Sequence, residues 1–171
     1  MPASVRPLDP HDDHLVALVA HRMGLTLDEV IGDDRSHHRY TQAWLEARVR
    51  AHLDPAQLEG GVLLAFLDDD PTPVGHTIVR RETDGPPDRG VFSTTWVSPH
   101  YRRLGVARVL LDHGEAWMVR RGMDWARTDT ATHNSPLRVL FERRGYRVVE
   151  RAPDGSMVRL ARRLEPQDPR G

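Results

Sequence analysis

The spacing of apolar residues changes along the chain, and the changes mark out eleven elements. Residues 5–8 read as a short strand, stopped by Asp9-Pro10. Residues 11–23 carry Leu15, Leu18, Val19 and Met23 on one helical face, with Gly24 placed to end the helix. The segment 25–36 is polar and reads as irregular. Ser36 can cap a second helix to about residue 53, with Tyr40, Trp44 and Ala47 spaced for its inner face. Residues 62–67 form a continuous apolar run, which predicts a strand, and Asp68-Asp69-Asp70 opens a solvated turn before a strand over 74–81. Gly85, Pro86, Pro87 and Gly90 predict a loop, and the β-branched and aromatic residues of 91–97 predict a strand. A helix over 105–121 would bury Val106, Val109, Leu110, His113 and Trp117. A strand over 125–130 and a helix over 136–144 come next. Strands over 146–151 and 157–160 flank the turn Pro153-Asp154-Gly155. The order β-α-α-β-β-β-α-β-α-β-β predicts an α/β fold with one mixed sheet and helices on both faces. Residues 1–163 read as one domain. The tail, 164–171, offers no evident core residue and is expected to be disordered.

Composition narrows the function. The chain has 171 residues, enough for one domain with a real core. It has no cysteine, which excludes disulfides, thiolate metal sites and a cysteine nucleophile. All 24 basic residues are arginine and the net charge is −1, so bulk electrostatic binding to nucleic acid is not expected. No stretch approaches the roughly 20 apolar residues of a membrane span. The first residues lack the apolar run of a signal peptide, so a cytoplasmic protein is expected. The histidines have no metal-ligand spacing, and no metal is expected.

One segment carries chemistry. From Val97 to Arg108 a strand ends, a turn with Arg102, Arg103, Leu104 and Gly105 follows, and a helix begins with Val106-Ala107-Arg108. A helix start presents free N–H groups and the positive end of the dipole. Gly105 and Ala107 lack bulk, so a diphosphate can approach the backbone. The two arginines add charge and donors. These features predict a phosphate site after a strand, a site that several nucleotides could use.

Arg102-x-x-Gly105-x-Ala107 resembles the (Gln/Arg)-x-x-Gly-x-(Gly/Ala) signature of the GNAT superfamily of N-acetyltransferases. Downstream, Asn134-Ser135-Pro136-Leu137 through Leu140-Phe141-Glu142-Arg143-Arg144-Gly145-Tyr146 is similar to that family's Asn-helix-Gly-aromatic block, and Arg6-Pro7-Leu8 resembles its first strand. The resemblance implies a mostly antiparallel, twisted mixed sheet that splays between its fourth and fifth strands. It implies acetyl-CoA as acyl donor, its pantetheine arm lying in the splay. Coenzyme contacts would come from Trp96, Val97, Arg102, Arg103, Leu104, Gly105, Val106, Ala107, Arg108, Asn134 and Phe141. Val97 would bind pantetheine, and the Thr95 N–H would polarise the thioester carbonyl.

The expected reaction is direct transfer of an acetyl group to a primary amine, since no cysteine exists to carry the acyl group. A small-molecule amine is the expected acceptor. A protein or peptide amine is the alternative within the class, and a non-catalytic acyl-CoA-binding regulatory domain is the alternative outside it. Relatives often place a tyrosine acid where Phe141 stands. Ser135 is the nearest hydroxyl, and it could equally sit in a helix first turn. Asn134 could contact the coenzyme or cap a helix. The fourth strand has no carboxylate, which leaves His37, His38, His76, His133, Glu82 and Asp129 as candidate bases, with His133 favoured by its place beside Asn134. Thr128, Thr130 and Thr132 could line an acceptor pocket or serve a half-exposed strand. Asp33 and Asp34 would favour a cationic acceptor. Similar proteins are frequently dimers, so a homodimer is compatible with this reading.

Overall fold

The structure is a computed structural model and describes residues 3–31 and 40–166. Its elements are β1 (Ala3–Pro7), α1 (Asp13–Ile31), α2 (Gln42–Leu53), β2 (Gly60–Leu67), β3 (Gly75–Arg81), β4 (Arg89–Val97), a 3₁₀ turn (Pro99–Tyr101), α3 (Val106–Arg120), β5 (Trp125–Ala131), α4 (Ser135–Arg143), β6 (Arg147–Arg151) and β7 (Met157–Arg163). The strands form one sheet in the order β1-β2-β3-β4-β5-β7-β6. All neighbours are antiparallel except β4 and β5, which α3 joins as a parallel crossover. The element order is the one that the apolar spacing predicts.

Each face of the sheet has its own core. Val16, Val19 and Met23 of α1 and Leu45 and Val49 of α2 pack on Leu64, Phe66 and Ile78. On the other face Leu111, Trp117 and Met118 of α3 and Phe141 of α4 pack on Phe92, Ala126 and Leu160. Gly114 lets α3 approach the sheet, because a Cβ there would fall 2.4 Å from the Phe92 ring.

Four details depart from the sequence reading. First, α1 runs through Gly24 instead of ending there. A Cβ at Gly24 would already touch Leu45 at 3.4 Å, so its small size serves the packing of α1 on α2. Second, α2 is capped by Thr41, whose side chain accepts from Trp44 N, and its buried face is Leu45, Val49 and His52. Trp44 and Ala47 are exposed. Ser36, the expected cap, lies outside the described residues. Third, His113 is exposed on α3, its Nδ1 3.0 Å from the Val109 carbonyl, while Leu111, Gly114 and Met118 are buried. Fourth, β7 extends to Arg163 and Leu164 is buried, its N–H donating to Asp124 O, so the core reaches one residue into the expected tail.

The sheet opens at one place. β4 and β5 pair from Arg89–Trp125 to Phe92–Thr128 and no further. There the register of β4 on β3 jumps from Val79–Phe92 to Ile78–Thr94, leaving Ser93 as a bulge. A bulge bends its strand and increases the local twist. Beyond it β4 follows β3 while β5 follows β7, and a gap opens between them.

Candidate functional site

The β4 edge of this gap carries main-chain donors. The Ser98 N–H donates to Val74 O at 2.8 Å, on the β3 side. Main-chain groups alternate along a strand, so the N–H groups of Thr94 and Trp96 also point to β3, and those of Thr95 and Val97 point into the gap. The Val97 carbonyl shares that edge and accepts from Arg102 Nε at 2.9 Å. The Thr95 side chain lies 2.8 Å from the Thr77 hydroxyl. Trp96, expected among the coenzyme contacts, turns away from the gap. Its N–H faces β3, and its ring is buried on the α1 face, stacked with His76 and beneath Arg22.

A helix start lies directly above. The turn after β4 places Arg103 at φ 65° and Gly105 at φ 82°, and Gly105 caps α3 without a side chain. The first intrahelical bond runs from Val109 N to Gly105 O at 3.1 Å, so the N–H groups of Val106, Ala107 and Arg108 precede it and are open to a ligand. Among the described residues other than its chain neighbours, no heavy atom lies within 4 Å of where a Gly105 Cβ would be. Arg102, Arg103, Leu104 and Arg108 are exposed around this opening, while Val106 is buried and anchors the helix. A hollow of about 370 Å³ adjoins it, bordered by Ala3, Leu104, Gly105, Val109 and Asp112. The Asp112 carboxylate is drawn off by Arg144 at 2.9 Å. Positive side chains, free amides and open backbone suit a diphosphate.

On the β5 side, Asn134 occupies the cap position of α4 but makes no side-chain cap bond. Its carboxamide is therefore not consumed by the helix. His133 is exposed beside it, and Ser135 begins the helix. Phe141 is wholly buried, with ring centroids 5.7 Å from Phe92 and 4.9 Å from Tyr146. Tyr146 donates to Glu115 at 2.8 Å. Burial, and then the Glu115 charge, push its phenol well above the usual range. Neither aromatic is a proton source near neutrality.

The candidate bases fare unequally. His76 is wholly buried, and burial lowers its pKa to about 3, with the nearby Arg22 charge adding to the effect. Its Nε2 is 3.3 Å from the Thr94 hydroxyl and its Nδ1 has no partner. Glu82 pairs with Arg127, which holds its pKa down at about 2. Asp129 bonds Arg127 at 2.9 Å and Arg159 at 2.8 Å. Both carboxylates are thus engaged in ion pairs. His37, His38, Asp33 and Asp34 lie outside the described residues. Two of the three threonines are engaged locally: Thr128 of β5 donates to Phe92 O at 3.2 Å, and Thr132, just past the strand, to Gly155 O at 2.6 Å. Thr130 is buried.

Two residues that the sequence reading passed over, Thr94 and Arg22, lie around the His76–Trp96 pair on the α1 face of the sheet. Thr94 has only its strand position as a signal, and Arg22 has none, since nothing in its neighbourhood along the chain places it over Trp96. Among the described residues no group of three or more histidines or carboxylates could hold a metal ion. Among the same residues no helix is long and apolar enough to cross a membrane.

The sequence profile of the acetyltransferase (GNAT) family matches residues 28–146. No curated protein matches the sequence. The fold is similar to that of the PaiA N-acetyltransferase of Thermoplasma acidophilum in complex with coenzyme A, at 20% identity and TM-score 0.71, covering 95% of this chain and 99% of that one. It is also similar to an acetyltransferase of Thermus thermophilus, at 19% identity and TM-score 0.72, covering 96% and 98%. A chain of the NatC complex bound to Gag peptide and coenzyme A gives 18% identity and TM-score 0.69, covering 96% and 100%.

Proposed function

The chain belongs to the acetyltransferase (GNAT) family, and from that premise we propose that it transfers an acetyl group from acetyl-CoA to the primary amine of a small molecule by direct attack. The observation that carries this reading is the open edge of β4. Two main-chain donors, Thr95 and Val97, face a gap beside the start of α3, which no side chain caps.

In this reading the diphosphate lies on the amides of Val106, Ala107 and Arg108, with Arg103 and Arg108 supplying charge. Gly105 gives the backbone clearance for that approach. The pantetheine arm runs beside β4 like an added strand, held by Val97 and by the Asn134 carboxamide. When bound, acetyl-CoA supplies a thioester carbon that an amine can attack. The Thr95 N–H is placed to donate to the thioester oxygen. Phe141 offers no proton, and the departing thiolate, with a pKa of about 8.5 in a free thiol, leaves near neutrality with a proton from water or Ser135. The amine gives up its proton to solvent or to His133, which is exposed beside Asn134.

A peptide amine is the second reading, favoured by the likeness to a chain of the NatC complex bound to Gag peptide. Thiol release measured with a panel of small amines and short peptides separates the two. Turnover of small amines supports the proposal, and turnover confined to peptides replaces it. Coenzyme A binding by calorimetry with no turnover of either class supports a binding domain instead.

A further inference from the structure

The α1 face of the sheet, over the part of β4 that lies beyond the bulge, holds a cation with no counter-charge among the described residues. Arg22 of α1 is half-buried, and its guanidinium lies 4.5 Å from the centroid of the Trp96 ring. Its Nη1 donates to the Pro73 carbonyl at 2.5 Å. Among the described residues no carboxylate pairs with it. Burial lowers its pKa. Other arginines in comparable settings are compensated: Arg127 by Glu82 and Asp129, Arg144 by Asp112 and Glu115, Arg159 by Asp129 and Glu150. Beside Trp96, His76 is neutral, so among the described residues the cluster carries one net positive charge.

The position matters as much as the charge. Trp96 stands between Thr95 and Val97, the two residues that face the gap, and its ring lies on the α1 face. Across the gap on that face, Asp129 is the first β5 residue past the last rung, and it is exposed. Coenzyme approaching from the α3 start leaves this face to the acceptor. A guanidinium resting on an aromatic ring is oriented, partly desolvated and shaped to grip a carboxylate with two parallel bonds. A half-buried charge of this kind gains most from a ligand of opposite sign.

We propose that the acceptor amine also carries a carboxylate, which docks on Arg22 above Trp96, so that the substrate class is an amino acid or a similarly anionic small amine and not a polyamine. The inference rests on the acetyl-transfer reading above and names the acceptor for that same site.

The test uses the full chain, acetyl-CoA, a panel of L-amino acids, their α-amides, and the polyamines putrescine and spermidine. Thiol release is followed, and coenzyme A binding is measured in parallel by calorimetry. At least one amino acid should turn over, with kcat/KM about tenfold or more above that of its amide, as expected for a charged hydrogen-bonded contact. Arg22→Gln should abolish that preference by raising KM for the acid while leaving the amide and the coenzyme affinity within about twofold. Arg22→Lys, which keeps the charge and loses the fork, should fall between. Equal use of acid and amide, preference for polyamines, or an unchanged preference in Arg22→Gln overturns the inference. So does coenzyme binding with no turnover of any amino acid. Failure of the wild type to bind coenzyme A overturns the acetyl-transfer reading instead, so the two failures are distinguishable.

Discussion

The Thr128 hydroxyl donates to the Phe92 carbonyl at 3.2 Å, across the last pair of residues that joins β4 to β5. The bond sits at the vertex of the gap, one residue before the Ser93 bulge. Both residues are buried, so water cannot replace the donor. Thr128→Val keeps the shape and removes the hydroxyl. It should destabilise the fold by about 1 kcal/mol, read by denaturant unfolding. An unchanged midpoint would mean that the main-chain ladder alone holds the vertex.

Variants at Gly105 should separate folding from coenzyme binding. Its φ of 82° is costly for a residue with a Cβ, yet open space lies where that Cβ would go. Gly105→Ala should therefore fold with a loss of about 1–2 kcal/mol. Gly105→Glu should fold as well but block coenzyme A, by bulk and by like charge at the diphosphate. Calorimetry on the folded variant decides this, and unchanged affinity would remove the helix start from the site.

Asn134 holds a cap position without capping. A true cap residue loses about 0.5–2 kcal/mol of stability on change to alanine. Asn134→Ala should lose less than about 0.5 kcal/mol, because no side-chain bond to the helix exists. Its kcat/KM for acyl transfer should nevertheless fall by about 5–30-fold, the effect of one hydrogen bond to the coenzyme. A stability loss with normal kinetics would reverse the assignment.

Phe141 is sealed between Phe92 and Tyr146. Phe141→Tyr buries a polar group and should cost about 1–3 kcal/mol unless the hydroxyl reaches the gap. The rate should change by less than about tenfold if, as proposed, water or Ser135 supplies the proton to the thiolate. A gain on the order of a thousandfold would identify the native chain as an impaired catalyst and favour the binding-domain reading.

Acid should destabilise the protein early. His76 titrates near 6.5 when unfolded and at about 3 in the fold. Between those values only the unfolded chain takes the proton. Stability is thus full above about pH 6.5 and falls by about 1.4 kcal/mol for each unit below it. Glu82, ordinarily near 4.5 and held at about 2 by Arg127, adds a second loss as pH falls through that lower window. Unfolding free energies at about pH 7 and about pH 5.5 test the first step. The wild type should lose about 1 kcal/mol more than His76→Gln, and equal losses would place the early transition on another histidine.

What the sequence determined by itself was local. Apolar spacing over a few residues decides whether a segment is helix or strand, so the order of the eleven helices and strands among the described residues was legible. The turn from Arg102 to Ala107 was legible too, because glycine, arginine and a helix start lie within one short segment. The tertiary structure decided whatever depends on residues distant in sequence. The Ser93 bulge exists only in the register of β4 on β3, and that register sends Thr95 and Val97 to the gap and Trp96 away from it. Gly24 looked like a helix stop until Leu45, from another helix, occupied the space beside it. Leu164 looked like tail until its N–H met Asp124 across the fold. Arg22 becomes a candidate site residue only because packing of α1 on the sheet brings it over Trp96. Periodicity records which side of its own element a residue occupies. It carries no record of what the chain later brings to that side, and burial, pairing and charge compensation are all properties of that second partner.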